Sequence, residues 1–330
     1  MFIQILALSL LFGMQEEETS PQAGSPQQQE EGFRIGVAVD QVFLSVNARS
    51  AGGGFVQGLE KENFQVYENG VKQGIVNFYS QGTPVHVVLL IDISGSTREA
   101  QALIRRAALG FARSLSTEDQ VAIVTFNDAP RLILDWTNDM ARIQEALESI
   151  YAKGQTVLHD ALYVVFDDLL KSANGKRAVI VLTDGIDTGS MVGQKDVADL
   201  AVHSETMVYI VSKLDEYWAG AIAARMEFQS RARLVPKQLT DEFIVQAKRF
   251  LGRLAQQTGG KVLDTRVFNS LTDVYQQVAE ELKNQYYISY IPSNIMKDGK
   301  WRSIEVRALG SGAIVSTRPG YFAPVQPQQF

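Results

Sequence analysis

The chain of 330 residues has no cysteine and only three histidines. Without cysteine it cannot form disulfides, thiolate metal sites or a cysteine nucleophile. It also lacks the Gly-x-x-x-x-Gly-Lys phosphate loop, the Gly-x-Gly-x-x-Gly dinucleotide fingerprint and the Gly-x-Ser-x-Gly nucleophile elbow. Nucleotide chemistry is therefore disfavoured, and a serine hydrolase would have few histidines to serve as its base. We expect that the protein is not an enzyme, and a hydrolase is the least favoured alternative.

Basic residues are neither abundant nor clustered. Acidic residues outnumber them by 37 to 31, which gives a formal net charge of −6 and a pI near 5.3. This balance does not indicate a nucleic-acid surface. Hydrophobic residues make up 45% of the chain, enough for a substantial core, and this length suits about two domains.

Long apolar runs are scarce as well, and none has the length of a transmembrane helix. The run at 2–14 has the length of the apolar part of a signal peptide, and residues 15–32 have the Gln, Glu, Pro and Ser content of a disordered linker. We predict a signal peptide and linker at 1–32, export to the periplasm or the extracellular space, and no transmembrane segment in the mature chain. A frayed apolar N-terminus is the alternative.

The rest of the chain changes pattern twice. Short alternating strands fill 33–82, strands alternate with helices over 83–284, and strand patterns return over 285–323, before a tail at 324–330. The middle pattern predicts an α/β domain with a doubly wound, mostly parallel sheet, which residues 215–241 interrupt without an assigned role. We predict that the N- and C-terminal strands pair in one small β-sandwich, because neither set can close a core alone.

Local signals refine this outline. Asn69-Gly70 predicts a hairpin turn before a return strand at 71–79, and Asp298-Gly299 predicts a second hairpin in the C-terminal part. In the α/β region, apolar spacing predicts a helix at 156–171 after a turn at Gly154. Two more helices are predicted at 99–116 and at 138–150, the latter with Asn138 as its N-cap.

The most distinctive stretch is an apolar run at 85–91 that ends abruptly at Asp92. Such a run indicates a strand covered on both faces, and open α/β sheets bind ligands at the carboxyl ends of their strands. There the chain presents Asp92, Ser94 and Ser96, a carboxylate and two hydroxyls brought together by a turn at Gly95. Oxygen ligands without sulfur or imidazole suit a hard cation such as Mg²⁺ or Mn²⁺.

Two later loops carry matching groups. Thr156 follows the Gly154 turn, and Asp184 follows an apolar strand at 178–182. In a doubly wound sheet these loops can lie at the same edge as Asp92. A more ordinary interpretation makes the hydroxyls helix N-caps and Asp184 part of an Asp-Gly turn. That interpretation does not explain why compatible groups occur in all three loops.

At these positions the sequence resembles a von Willebrand factor type A domain with a metal-ion-dependent adhesion site, over about 84–284. Asp92-x-Ser94-x-Ser96, Thr156 and Asp184 match the five positions of that family in order. The resemblance implies that the three hydroxyls bind Mg²⁺ directly, with Mn²⁺ and Ca²⁺ as alternatives, and that the two aspartates act mainly through water. It also implies a protein partner whose Asp or Glu carboxylate completes the coordination.

The flanking sequences resemble a bacterial secreted subgroup of such proteins. They share a Gly-Leu-x-x-x-x-Phe-x-Val-x-x-x-Gly pattern at 58–70 and the ending Arg318-Pro319-Gly320-Tyr321. From this resemblance we expect a Mg²⁺-dependent module for protein–protein interaction and cell adhesion. In the alternative structural reading, the ion only stiffens the sheet edge and the β-sandwich binds the partner.

Overall fold

The computed structural model describes residues 41–183, 186–212, 237–264 and 270–325. All of them belong to one unit, Val39–Phe330. The predicted signal peptide and linker, residues 33–40, most of the predicted insertion at 215–241 and the last five residues lie outside these ranges. Within the described ranges, no helix combines the length and apolar character needed to cross a membrane.

The described residues form fourteen strands and six α-helices. The strands are β1 (Val42–Arg49), β2 (Phe64–Glu68), β3 (Val71–Gln73), β4 (Ile75–Tyr79), β5 (Val85–Asp92), β6 (Gln120–Phe126), β7 (Pro130–Thr137), β8 (Lys176–Thr183), β9 (Met207–Ser212), β10 (Lys261–Asp264), β11 (Tyr286–Tyr290), β12 (Trp301–Ala308), β13 (Ile314–Ser316) and β14 (Gly320–Phe322). The helices are α1 (Gln101–Ser114), α2 (Met140–Glu148), α3 (Leu158–Asp167), α4 (Gln194–His203), α5 (Lys237–Thr258) and α6 (Leu271–Asn284). Short 3-10 helices cover Lys61–Asn63, Gly95–Ala100 and Leu169–Ser172.

The centre of the α/β region is a six-stranded sheet in the order β10-β9-β8-β5-β6-β7. Neighbouring strands are parallel from β10 to β6, and β7 pairs antiparallel with β6 at one edge. In β5 and β8 every residue except the second is buried, as the apolar runs predict. The chain leaves β5 toward β6 and β7 and then returns to β8 on the other side of β5. This reversal places the switch point of the sheet at the carboxyl end of β5.

Helices cover both faces of this sheet. Val87 and Leu89 of β5 pack into one core with residues of α1, α2 and α6. Val88 and Leu90 pack into a second core with residues of α3, α4 and α5. Because successive side chains of a strand point to opposite faces, one apolar run supplies both cores. The predicted doubly wound, mostly parallel α/β fold is confirmed.

Strands from the two ends of the described chain form two antiparallel sheets, in the orders β13-β1-β11-β4 and β14-β12-β2-β3. β1 pairs with β11, with Val42 opposite Tyr290, and β2 pairs with β12, with Val66 opposite Val306. Leu44 and Val66, which lie on different sheets, belong to one apolar core. The predicted pairing of N- and C-terminal strands in a β-sandwich is therefore confirmed.

One predicted hairpin is present and the other is wrong. Asn69 (φ 48°) and Gly70 (φ 79°) turn β2 into β3, with the positive φ values that a two-residue hairpin needs. The return strand is shorter than 71–79, because β4 belongs to the other sheet. Asp298-Gly299 closes no hairpin, since β11 already pairs with β1 and β4 on its two sides. Residues 291–300 instead cross from one sheet to the other.

The predicted N-cap of α2 is also wrong by one residue. Asp139, not Asn138, holds that position, and its carboxylate accepts the backbone N–H groups of Ala141 (2.9 Å) and Arg142 (3.4 Å). Asn138 donates its side-chain N–H to the Thr117 carbonyl instead (2.7 Å). Both residue types are good caps, so sequence alone could not separate neighbours in an Asn-Asp pair.

A buried carboxylate joins the sandwich to the α/β region. Glu281 of α6 is 2% exposed. Its Oε1 accepts the side-chain amide of Asn47 on β1 (3.1 Å) and the Tyr209 hydroxyl on β9 (3.0 Å). Its Oε2 accepts Nη2 of Arg49 (2.9 Å) and Nζ of Lys261. Donors from both parts of the molecule therefore converge on one side chain.

The C-terminal stretch Arg318-Pro319-Gly320-Tyr321 makes a second connection. Nη2 of Arg318 donates to the Phe43 carbonyl (3.0 Å) and to Oε1 of Glu205, just after α4 (2.5 Å). The Tyr321 hydroxyl donates to Oε2 of Glu68 inside the sandwich (2.9 Å). A Cβ at Gly320 would lie 2.3 Å from the carbonyl oxygen of Arg302, so only glycine fits there. This sequence pattern is therefore explained by docking and packing of the sandwich.

Candidate metal-ion site

Asp92 ends β5 and is completely buried. Its Oδ1 accepts the backbone N–H of Ser94 (2.8 Å), and its Oδ2 accepts the hydroxyl of Thr183 (3.0 Å). Thr183 is the last residue of β8, the strand beside β5. These two neutral donors fix the orientation of the carboxylate between the carboxyl ends of two core strands.

The first loop follows directly. Ser94 is 3% exposed and precedes the 3-10 helix Gly95–Ala100, which includes Ser96. Ser94 holds the N-cap position, but its side chain makes no capping hydrogen bond. Its carbonyl accepts the N–H (3.1 Å) and the hydroxyl (2.9 Å) of Thr97. The interpretation of Ser94 as a side-chain cap is therefore wrong. The side chain of Ser96 lies outside the described part of the structure.

Backbone hydrogen bonds join this loop to the second one, at 150–157. The N–H of Lys153 donates to the Ile93 carbonyl (2.8 Å), and the N–H of Gly95 donates to the Gly154 carbonyl (3.2 Å). Each bond connects a residue that neighbours Ser94 to a residue within three positions of Thr156. The two loops therefore lie against each other at the carboxyl edge of the sheet.

The form of the second loop depends on Gly154 and Asp128. Gly154 has φ +83°, and a Cβ at this position would lie 2.4 Å from Oδ2 of Asp128. Oδ1 of Asp128 accepts the N–H of Gln155 (2.8 Å). Asp128 comes just after β6, so a third strand of the sheet helps to set the position of Thr156.

Thr156 is 5% exposed. The N-cap position of α3 belongs to Val157, so the interpretation of Thr156 as a helix cap is wrong. The backbone of Thr156 is held by Thr188 of the third loop. Its carbonyl accepts the Thr188 N–H (2.9 Å), and its N–H donates to the Thr188 hydroxyl oxygen (3.1 Å). The second and third loops are thereby connected.

Asp184 and Gly185 lie outside the described residues. The described residues on either side of them are bonded to the candidate site, Thr183 to Asp92 and Thr188 to Thr156. Of the five predicted positions, the structure thus brings Asp92 and the loops of Ser94 and Thr156 to one edge of the sheet.

Comparison with known proteins bears on this arrangement. Residues 87–186 match the family described as von Willebrand factor type A domain. The chain contains a von Willebrand factor type A domain. All five predicted ligand positions fall within the matched residues, which also include β6, β8 and all but the first two residues of β5.

Several known proteins are similar to parts of the chain. An uncharacterized protein of Synechocystis sp. is 26% identical over 107 residues, which are 31% of this chain and 25% of that protein. The chain thus spans about a quarter of the curated relative that it matches. Among solved structures, a von Willebrand factor type A protein from Catenulispora acidiphila is 12% identical with a TM-score of 0.47, over 87% of this chain and 74% of that one. An aerotolerance-related membrane protein from Bacteroides fragilis is 15% identical with a TM-score of 0.43, over 60% of this chain and 98% of that one.

The third loop of the type A domain also caps α3. Asp187 accepts the N–H groups of His159 and Ser190 (both 3.0 Å) and the Ser190 hydroxyl (2.5 Å). Asp160 accepts the N–H of Met191 in return (2.9 Å). Burial alone would raise the pKa of Asp187, but the hydrogen bonds from Ser190 and His159 outweigh it and lower the pKa. Asp187 therefore caps the start of α3, and Asp160 of α3 holds the third loop in return.

His159 has a structural role next to this cap. It is 9% exposed, its ring meets Phe250 edge-to-face with centroids 4.8 Å apart, and its Nδ1 lies 3.5 Å from Oδ2 of Asp187. Burial lowers the pKa of His159, and the opposing effect of Asp187 and Asp160 is smaller. Burial thus favours the neutral imidazole, which packs as a core side chain.

The donor set fits a hard cation. Among the described residues, no group of three or more His, Cys, Asp or Glu side chains could hold a metal. The type A domain offers a different set, a buried carboxylate at Asp92 with the hydroxyls of Ser94 and Thr156 on adjoining loops. Such oxygen donors suit Mg²⁺, and a carboxylate removed from water is stabilised by a nearby cation.

Sequence reasoning missed two residues that shape the site. Asp128 follows β6, whose carboxyl end lies beside that of β5, so its position after a core strand was an available signal. Thr188 gave no such signal, because it lies in a loop and acts only by hydrogen bonds to the backbone of Thr156.

Proposed function

We propose that the type A domain is a Mg²⁺-dependent module that binds a protein partner through a carboxylate of that partner. The observation that supports this most is the junction of three loops around Asp92. Its carboxylate is fixed by Thr183 and by the Ser94 N–H, and the loop of Thr156 is bonded to the loops on both sides. A site assembled in this way keeps its donors in place before an ion or a partner arrives.

Each predicted ligand has a separate part in this proposal. Ser94, Ser96 and Thr156 would supply hydroxyl oxygens directly, and Asp92 and Asp184 would hold water ligands. Neutral hydroxyls leave most of the ion's positive charge available, which gives an Asp or Glu of the partner an attractive ligand position. The protein's own task is to hold five oxygen-bearing side chains on separate loops, with Mn²⁺ and Ca²⁺ as alternative occupants.

The proposed setting is outside the cytoplasm, on the basis of the signal-like apolar run at 2–14. There the module would serve adhesion or the assembly of envelope proteins. Hydroxyl ligands favour binding over catalysis, since binding requires no base, and the ring of His159 packs against Phe250 as a core side chain.

The test compares partner capture by three forms of the protein from an envelope extract, in Mg²⁺ and in EDTA. Thr156→Val removes one hydroxyl at nearly constant volume. Thr206→Val is the matched control, since Thr206 is 1% exposed and precedes β9 at the opposite edge of the sheet. We expect capture by the wild type and by Thr206→Val in Mg²⁺ only, and none by Thr156→Val.

Two outcomes would count against the proposal. Capture that persists in EDTA would mean that the partner contacts another surface, as in the structural alternative where the sandwich binds. Equal capture by Thr156→Val and Thr206→Val would remove the second loop from the binding site.

A further inference from the structure

The second loop presents a large aromatic side chain to solvent. Tyr151 is 70% exposed, more than any other Phe, Tyr or Trp that the structure describes. The next three are Tyr79 at 47%, Tyr163 at 38% and Trp301 at 37%. Single exposed apolar residues are common in soluble proteins, so exposure alone assigns no role to Tyr151. Its position relative to the candidate ion site is a second, independent observation.

Tyr151 lies close to that site. It is two residues from Lys153, whose N–H donates to the Ile93 carbonyl (2.8 Å), and Ser94 is the residue that follows Ile93. Two residues span at most about 7 Å of chain, so the Cα atoms of Tyr151 and Ser94 lie within roughly 15 Å of each other. A protein segment whose acid binds the ion can therefore contact Tyr151 with a neighbouring side chain.

Neighbouring residues hold the Tyr151 ring. The guanidinium carbon of Arg105 lies 5.8 Å from the ring centre, within the range of a cation–π contact. Nη2 of Arg105 donates to Oε1 of Gln101, one turn earlier in α1 (3.3 Å). Ile150, the residue before Tyr151, is buried and fixes the backbone there. A side chain that is already held loses less conformational entropy when a partner covers it, which favours binding.

We propose that Tyr151 is the main contact of the protein partner outside the ion, with Arg105 holding its ring. This inference rests on the proposed function, because it concerns the residues next to the captured carboxylate. Tyrosine and arginine are enriched at the energetically important positions of protein interfaces. The partner would carry a large apolar or aromatic side chain within about four residues of its acid, since an extended segment covers about 15 Å in that number.

A random peptide library displayed on phage tests this inference without knowledge of the partner. Peptides are selected on the immobilised full chain in Mg²⁺ and released with EDTA. We expect the released peptides to carry Asp or Glu and, within about four residues of it, a large apolar or aromatic side chain. Acidic peptides without such a side chain would overturn the inference and leave the proposed function intact. A selection in which EDTA releases no peptides would contradict both.

One selected peptide, labelled with fluorescein, then reports on variants of the full chain by fluorescence anisotropy. Tyr151→Ala should weaken binding by about tenfold, and Tyr151→Phe should retain it. Arg105→Gln, which releases the ring, should weaken binding by about two- to fivefold. Tyr79→Ala is the matched control, because Tyr79 is an exposed tyrosine on β4 of the sandwich, and it should bind like the wild type.

Calorimetric titration of Mg²⁺ separates the aromatic contact from the ion site. We expect equal Mg²⁺ affinities for the wild type and Tyr151→Ala, since the substitution removes none of the predicted ligands. Equal peptide binding by these two proteins would overturn the inference. An equal loss in Tyr79→Ala would overturn it as well, because the contact would then involve the sandwich. A fall in Mg²⁺ affinity that matches the fall in peptide binding would show that Tyr151 shapes the ion site instead.

Discussion

Replacing Glu281 by glutamine should weaken the connection between the sandwich and the α/β region. The side chain keeps its size but loses its charge, and one oxygen becomes an NH₂ group. Either orientation of the new amide places this donor against two donors, Asn47 and Tyr209 on one side or Arg49 and Lys261 on the other. The variant therefore leaves buried hydrogen-bonding groups without acceptors.

The contacts of Glu281 set the size of the effect. Breaking a buried ion pair costs about 3–5 kcal/mol. The side chains of Arg49 and Lys261 are 26% and 35% exposed, so water can solvate part of each released charge. We therefore expect the lower value, a loss of about 3 kcal/mol in the free energy of unfolding. At about 2–4 °C per kcal/mol, Tm should fall by about 6–12 °C.

Urea denaturation and differential scanning calorimetry measure this directly. Glu280→Gln is the matched control, because Glu280 is the adjacent residue of α6, is exposed and makes the same change in net charge. A difference of less than about 1 kcal/mol between the two variants would refute the reasoning, since it would lie within the range of exposed ion pairs.

Three further predictions follow from buried contacts. Burial lowers the pKa of Lys176 from 10.5 to about 8. The unfolded chain therefore holds that proton more tightly than the folded chain does. As the pH rises from about 8 to about 10.5, the free energy of unfolding should increase by up to about 3 kcal/mol. Urea titrations of Lys176→Met should show no such increase. Gly154→Ala places a Cβ 2.4 Å from Asp128 at positive φ, so it should cost about 1–3 kcal/mol in the same assay and weaken Mg²⁺ binding. Thr183→Val removes the hydroxyl that orients Asp92 and should weaken Mg²⁺ binding by about 10–100-fold in calorimetric titrations.

Each of these has an outcome that contradicts it. A stability difference between wild type and Lys176→Met that stays constant from neutral to alkaline pH would show that the lysine is not desolvated. Unchanged unfolding of Gly154→Ala would mean that the second loop has room to move. An unchanged Mg²⁺ affinity of Thr183→Val would show that the orientation of Asp92 does not matter for the ion.

The parts of the fold that the sequence predicts are those with strong periodicity. Apolar runs at β5 and β8 indicate strands buried on both faces, and Asn69-Gly70 has the residues that a hairpin with two positive φ values needs. Asp298-Gly299 is an equally good turn signal, yet it joins strands of different sheets. Strand pairing depends on which edges remain open, and that information is not local.

In the candidate site, too, local sequence patterns predict some features, whereas contacts between distant residues determine others. Asp92 and Ser94 are visible in sequence because they follow a core strand at alternate positions. The capping interpretation of Ser94 fails because its side chain makes no capping hydrogen bond, and that of Thr156 fails because Val157 is the N-cap of α3. Backbone bonds between loops, from Gly95 to Gly154 and from Thr188 to Thr156, hold this region instead. Those bonds join residues that are far apart in the chain, so no local sequence pattern predicts them.

The central claim is that hydroxyls from separate loops bind one divalent cation, and the most direct test is isothermal titration of Mg²⁺ into three purified proteins. We predict one site in the wild type and in Thr206→Val, with an affinity lower by at least about tenfold in Thr156→Val. Equal affinities for Thr156→Val and the wild type, with both proteins folded, would contradict the account.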